Sequence, residues 1–184
     1  MSMPGSSSSS SVSGSRSAVG AGSAPAAAIS ATVLGELAGR AQRSDRFGSI
    51  RTVGGVLECD AAASASPATY RVGIESGKVY VSLVMADRYL SQSIEQDLVH
   101  TGDKMSDLLK DELIDLGVDV PPVPVEHFRS PEKLFTFRAV VPVEAGQLSQ
   151  PRADEQVLGM VLNFLLGFEA CFGPLGDMSA DGEE

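Results

Sequence analysis

The sequence has no tryptophan, two cysteines and two histidines in 184 residues, and aromatic residues make up only 5% of it. So few thiol and imidazole groups restrict metal chemistry. Cys59 and Cys171 stand far apart, as do His100 and His127, and none belongs to a paired motif with metal-binding spacing. Two distant cysteines make no disulfide framework either, and both are expected as free, buried thiols in a reducing compartment. Positive charge is also scarce, with 14 Lys and Arg against 24 Asp and Glu and a net charge of −10. Phosphate-backbone affinity rests on Lys and Arg neutralising phosphates, so neither nucleic acid nor an anionic membrane surface is an expected partner. The first residues lack the basic region and apolar run of a secretory signal, and a cytoplasmic protein is expected. Long apolar runs are missing too. The nearest to one, Val157 to Phe168, is interrupted by Gly159, Asn163 and Gly167 and bounded by Asp154, Glu155 and Glu169, which reads as a buried core helix rather than a bilayer span of about 20 residues.

What is present is a hydrophobic content of 43%, enough for one ordinary domain with a sizeable core. Residues 1–27 are Ser, Gly and Ala with almost no large apolar side chains, and burial cannot offset the entropy of ordering them. They are expected to be a disordered tail, residues 28–176 a single α+β domain, and residues 177–184 a disordered acidic tail.

From Ser30 the pattern is helical, with Val33, Leu34, Leu37 and Ala41 on one side, ending between Arg43 and Phe47. Residues 50–59 read as extended, with Gly54-Gly55 marking a bulge or a tight turn. Alternation of Tyr70, Val72 and Ile74, then of Val79, Val81, Leu83 and Met85, gives two antiparallel strands joined by a turn at Glu75-Ser76-Gly77-Lys78. Over residues 91–116, Ile94, Leu98, Thr101, Met105, Leu108, Leu109 and Leu116 keep one helical phase, as one long helix of about 39 Å or two nearly collinear ones. Ser91 or Ser93 is the expected cap and Gly117 the left-handed terminator. Val123 to Phe128 and Leu134 to Val143 read as a further hairpin whose second strand turns Phe135, Phe137, Ala139, Val141 and Val143 to one face. Ser149 and Pro151 announce a last helix that is apolar on every side through Phe172. The sum is an antiparallel sheet of about five strands packed against an N-terminal helix, a long central helix and a buried C-terminal helix.

No motif carries recognisable chemistry, so no catalytic, cofactor-binding or metal residue is assigned and no cofactor is expected. Gly73, Gly77 and Lys78 fail the phosphate-loop spacing, and Val79 stands where that motif needs Ser or Thr. The serines form no Gly-x-Ser-x-Gly elbow. Glu95, Asp97, Asp103, Asp107, Asp111, Glu112 and Asp115 read as a solvated acidic face, and His100 as a surface histidine. His127 shares strand parity with Val123 and Val125, which suits a hydrogen-bonded histidine at the edge of the core. For binding, Ile114 points away from Met105 on its helix and Glu112 interrupts the apolar stripe; these two and Phe128 are the candidate protein-interface residues.

The order of elements, carried by Tyr70 to Met85, Ser91 to Gly117 and Phe135 to Val143, resembles the fold of type III secretion chaperones and YbjN-type domains. That resemblance implies a chaperone- or adaptor-like protein-binding module, usually a homodimer, holding an extended segment of a protein partner. It carries over no functional residue, and the Ser-rich tail and long second helix depart from it. The alternatives are a small-molecule-binding regulator or enzyme with a scattered site, and a structural subunit of a larger assembly.

Overall fold

The computed structural model describes residues 28–178 of the chain, apart from the side chain of Asp177. The Ser-rich segment 1–27 and the last residues of the acidic tail lie outside the described residues. Helix α1 (Ala31–Ser44) starts at Ser30, whose hydroxyl accepts from the Val33 N–H, and stops at Asp45 in the left-handed region. Four strands follow in sequence: β1 (Phe47–Val53), β2 (Val56–Ala61), β3 (Ala68–Glu75) and β4 (Lys78–Met85). Helices α2 (Arg88–Thr101) and α3 (Met105–Asp115) lead to β5 (Val125–Arg129) and β6 (Phe135–Glu144). The short α4 (Ala145–Leu148), α5 (Glu155–Phe172) and a 3₁₀ turn at Gly176–Met178 complete the chain.

The fold is α+β, as expected, but its antiparallel sheet has six strands in the order β1-β2-β3-β4-β6-β5. The expected single extended segment is two strands because Gly54 and Gly55, at φ 58° and 83°, form a two-residue turn between Val53 and its partner Val56. Positive φ at both central residues is what a twisted hairpin needs, and Ser76-Gly77 meets the same need between β3 and β4. The central helical stretch divides into two helices. Its apolar phase continues, but Gly102 adopts φ 77° and its N–H closes onto the Leu98 carbonyl.

One face of the sheet holds the core. Leu57, Cys59, Tyr70, Val72, Val79, Val81, Leu83, Phe137, Ala139 and Val141 alternate inward and are buried. Helix α5 lies across β3, β4 and β6, flanked by α1 and α3. No residue of α5 from Val157 onward is fully exposed, so the expectation of a helix enclosed nearly all round describes it well. Among the described residues it is the one helix long and apolar enough to cross a membrane, and half of it is buried inside the fold. Its cap is Asp154, whose carboxylate accepts from the Gln156 N–H, whereas Ser149 and Pro151 follow α4. Met178, two residues past the expected domain boundary, is buried against the core. Both cysteines are free and buried, and burial pushes each thiol up to about 12.

Candidate functional site

Among the described residues, no helix packs on the second face of the sheet. Register places one polar row across it: Arg51, Glu58, Arg71, Ser82, Arg138 and Glu126, one residue from each strand. On either side of Ser82 opposite charges alternate, because cross-strand neighbours on one face lie close enough to pair. Arg51 bonds Glu58 at 2.9 Å and Asp60 at 2.8 Å, and Arg138 bonds Glu126 at 2.6 Å and Glu75 at 2.7 Å. The Arg138 guanidinium also lies 4.5 Å from the Tyr80 ring and 4.7 Å from the Phe128 ring. Arg71 Nε stands 3.0 Å from Glu58 Oε1, off the N–H direction, so that contact is electrostatic. The β5–β6 loop folds toward this face and leaves a cleft of about 410 Å³ above Ser82, Val84 and Arg138. Every guanidinium in the row has a carboxylate beside it, so the row keeps an uncovered sheet face hydrated rather than forming an anion site.

The two sheet edges are unlike. Strand β5 is guarded by Pro121, Pro122 and Pro124 before it and by Glu126, His127 and Arg129 within it, the devices that discourage edge-to-edge pairing. Strand β1 has a bulge at Gly48-Ser49 and then an open run from Ile50 to Val53. With Val53 paired to Val56 across the two-residue turn, the pattern alternates so that the backbone groups of Ile50 and Thr52 point away from β2. Val53 is 55% exposed and Arg51 is held by its carboxylates, so among the described residues no charge stands free along that edge. The edge is a template four residues long.

His127 takes part in an arrangement that the sequence did not reveal. Its ring stacks on Phe137 with centroids 4.0 Å apart and 2° between planes; Nε2 is 3.2 Å from Ser91 Oγ, and Nδ1 is 3.3 Å from Glu95 Oε1. A neutral ring with its proton on Nδ1 faces Glu95 and accepts from the Ser91 hydroxyl. The Ser–His–Glu order is that of a nucleophile relay, yet Ser91 is 0% exposed, which leaves a substrate carbonyl no path to Oγ. The arrangement instead fastens strand β5 to α2. Ser91 is free for this because the expected cap is replaced by Asp87, whose carboxylate accepts from the N–H groups of Tyr89 and Leu90. The spacing of Ser91 and Glu95, one helical turn apart, was the available signal.

The three candidate interface residues do not converge. Phe128 sits on the uncovered face, half-buried under Arg138. Ile114 and Glu112 are on α3, which packs on α5 across the sheet from it. Ile114 is 46% exposed, whereas Glu112 is half-buried and acts electrostatically on Glu169 of α5. More exposed than either are Tyr89 and Val99 on α2, at 80% and 83%. His100 is exposed, and among the described residues no His, Cys, Asp and Glu cluster could hold a metal ion. No protein-family model matches the chain, and neither does any curated protein or solved structure.

Proposed function

We propose that the chain is a non-enzymatic protein-binding module, chaperone- or adaptor-like and homodimeric, which takes an extended segment of another protein as an added strand along β1. The observation that carries this reading is the unguarded Ile50–Val53 edge beside a guarded β5. Strand addition draws its affinity from main-chain hydrogen bonds, here to the outward groups of Ile50 and Thr52, and its selectivity from alternate side chains. On the uncovered face an added strand would continue the row of Val53, Val56, Tyr80 and Val140. This is the mode of binding implied by the resemblance to type III secretion chaperones and YbjN-type domains, with the cytoplasm as its setting.

The homodimeric part draws on α2, where Tyr89, Gln92, Gln96 and Val99 follow a spacing of three, four and three residues along one stripe. Antiparallel pairing of two copies would set Tyr89 against Val99 of the second copy, about 15 Å along the helix, with glutamines meeting between them. Sedimentation of the wild type against Tyr89→Glu should show dimer and monomer respectively; a wild-type monomer at high concentration would remove this half of the reading.

Strand addition is tested by Thr52→Pro. Proline is tolerated on an edge where its N–H faced solvent, so the fold should persist while the outward donor is lost. A partner captured by the wild type from its own cell extract should be retained at least tenfold less by the variant. Equal retention would show that the partner docks elsewhere.

A further inference from the structure

At the C-terminal end of α5, beside the segment that follows β2, there is a cavity of about 370 Å³. Its walls are small and apolar at Ala61, Ala63, Ala170 and Met178, and its polar groups are Arg46, Tyr70 and Glu169. Tyr70 is 1% exposed, its ring set edge-on to Phe47 in the core. Among the described residues its hydroxyl has no hydrogen-bond partner, and it is not sealed off, so the oxygen opens onto the cavity. A buried phenol requires a hydrogen-bond partner, and with none in the surrounding protein that requirement falls on whatever occupies the cavity.

The neighbouring groups define what would meet that requirement. Glu169 offers Oε2 to Arg46 at 3.2 Å and leaves Oε1 without a hydrogen bond among the described residues. Its side chain is 23% exposed while that of Arg46 is 42% exposed, so the guanidinium answers the carboxylate from the mouth of the cavity and the interior side stays open. Burial holds the Glu169 carboxyl above its usual range, Arg46 opposes this, and Glu112 adds to it. The last turn of α5 turns its carbonyl end, the negative end of the helix dipole, to the same place. The Arg46 guanidinium therefore answers Glu169 from the mouth while Glu112, through space, and the helix C-terminus add negative potential. The groups open on the interior side are Glu169 Oε1, an acceptor, and the Tyr70 hydroxyl, which accepts as well as donates.

We propose that this cavity binds a small primary amine, its ammonium held between Glu169 Oε1 and the Tyr70 hydroxyl and its apolar body against the alanine wall. The ammonium's three donors suit acceptors that converge without lying in one plane, which a bidentate guanidinium would need. The cavity's size fits a body of a few carbons to a single ring. This site is independent of strand addition at β1, and either can fail without the other.

The test is an amide NMR titration of the full chain with n-butylamine, with butan-1-ol and butyrate as isosteric controls. Butylamine should give saturable shifts at residues 61–63 and 169–173, with affinity at least tenfold above either control. Glu169→Gln should weaken the amine at least tenfold. Tyr70→Phe should weaken it severalfold with no fall in Tm, since the hydroxyl supports nothing in the fold; this variant keeps the test decisive should the Glu169 change perturb folding. Equal binding of amine and alcohol, indifference to both substitutions, or no saturable shift would overturn the proposal.

Discussion

At the scale of single residues, the positions that matter most are those whose surroundings leave no alternative. Gly176 has φ 53°, and a Cβ there would sit 2.5 Å from Ser93 Oγ and 2.8 Å from the Ile94 nitrogen. Its N–H is accepted by the Asp97 carboxylate, which ties the chain after α5 to α2. Gly176→Ala should therefore cost about 2 kcal/mol or more by chemical denaturation, a sum of left-handed strain and displaced packing. A cost below about 0.5 kcal/mol would show that the terminal turn is not held against α2. His127 gives a pH dependence. Burial lowers its affinity for a proton, with Glu95 opposing, and the net direction is down. Between the lowered value and the ordinary one near 6.5 the unfolded chain binds more protons, so stability is complete above the unfolded value and falls as pH drops through the folded one. The wild type should lose more stability between pH 7 and 5 than His127→Asn, and parallel curves would contradict this. The parity of His127 with Val123 and Val125 was legible in the sequence. Its serine partner was not, because Ser91 reads as a helix cap until Asp87 is seen to fill that role.

At the scale of elements, punctuation and periodicity carried most of the information. The end of α3 is marked in the sequence by Gly117, and the structure shows why: at φ 79° it lets the Val118 N–H reach the Leu113 carbonyl at 2.8 Å while its own N–H reaches Ile114. Val118 and Leu113, both buried, close the motif from the core side. Gly117→Ala should cost about 1 kcal/mol, measured as a shifted denaturation midpoint. Helix α5 was legible from its uniform apolarity, and Phe164, 0% exposed, tests it: Phe164→Ala should cost about 3–5 kcal/mol. An unchanged midpoint would mean that the helix is not core. Less legible was the break at Gly102, since an apolar stripe that stays in phase does not report that the backbone between its halves has opened. Gly54-Gly55 was likewise ambiguous between bulge and turn, because both tolerate glycine at positive φ and only the pairing partner distinguishes them.

At the scale of the whole molecule, the α+β class followed from local pattern, but the proposed binding edge depends on strand order. Sequence proximity would set β5 beside β4, whereas the sheet inserts β6 between them and leaves β1 and β5 at the two edges. That order decides which strand presents free backbone, and register sets Phe128 on the face of the sheet opposite the helices that carry Ile114 and Glu112. The chain's negative charge is legible from composition; its arrangement into a neutralised row of arginines and carboxylates is not, because it arises only when six strands fall into register. Strand addition along β1, as proposed, is read out by amide hydrogen exchange of the complex. The amides of Ile50 and Thr52, which face outward in the free protein, should become protected when the partner is bound. Continued fast exchange at both positions, with protection appearing at β5 or on the uncovered face, would contradict it.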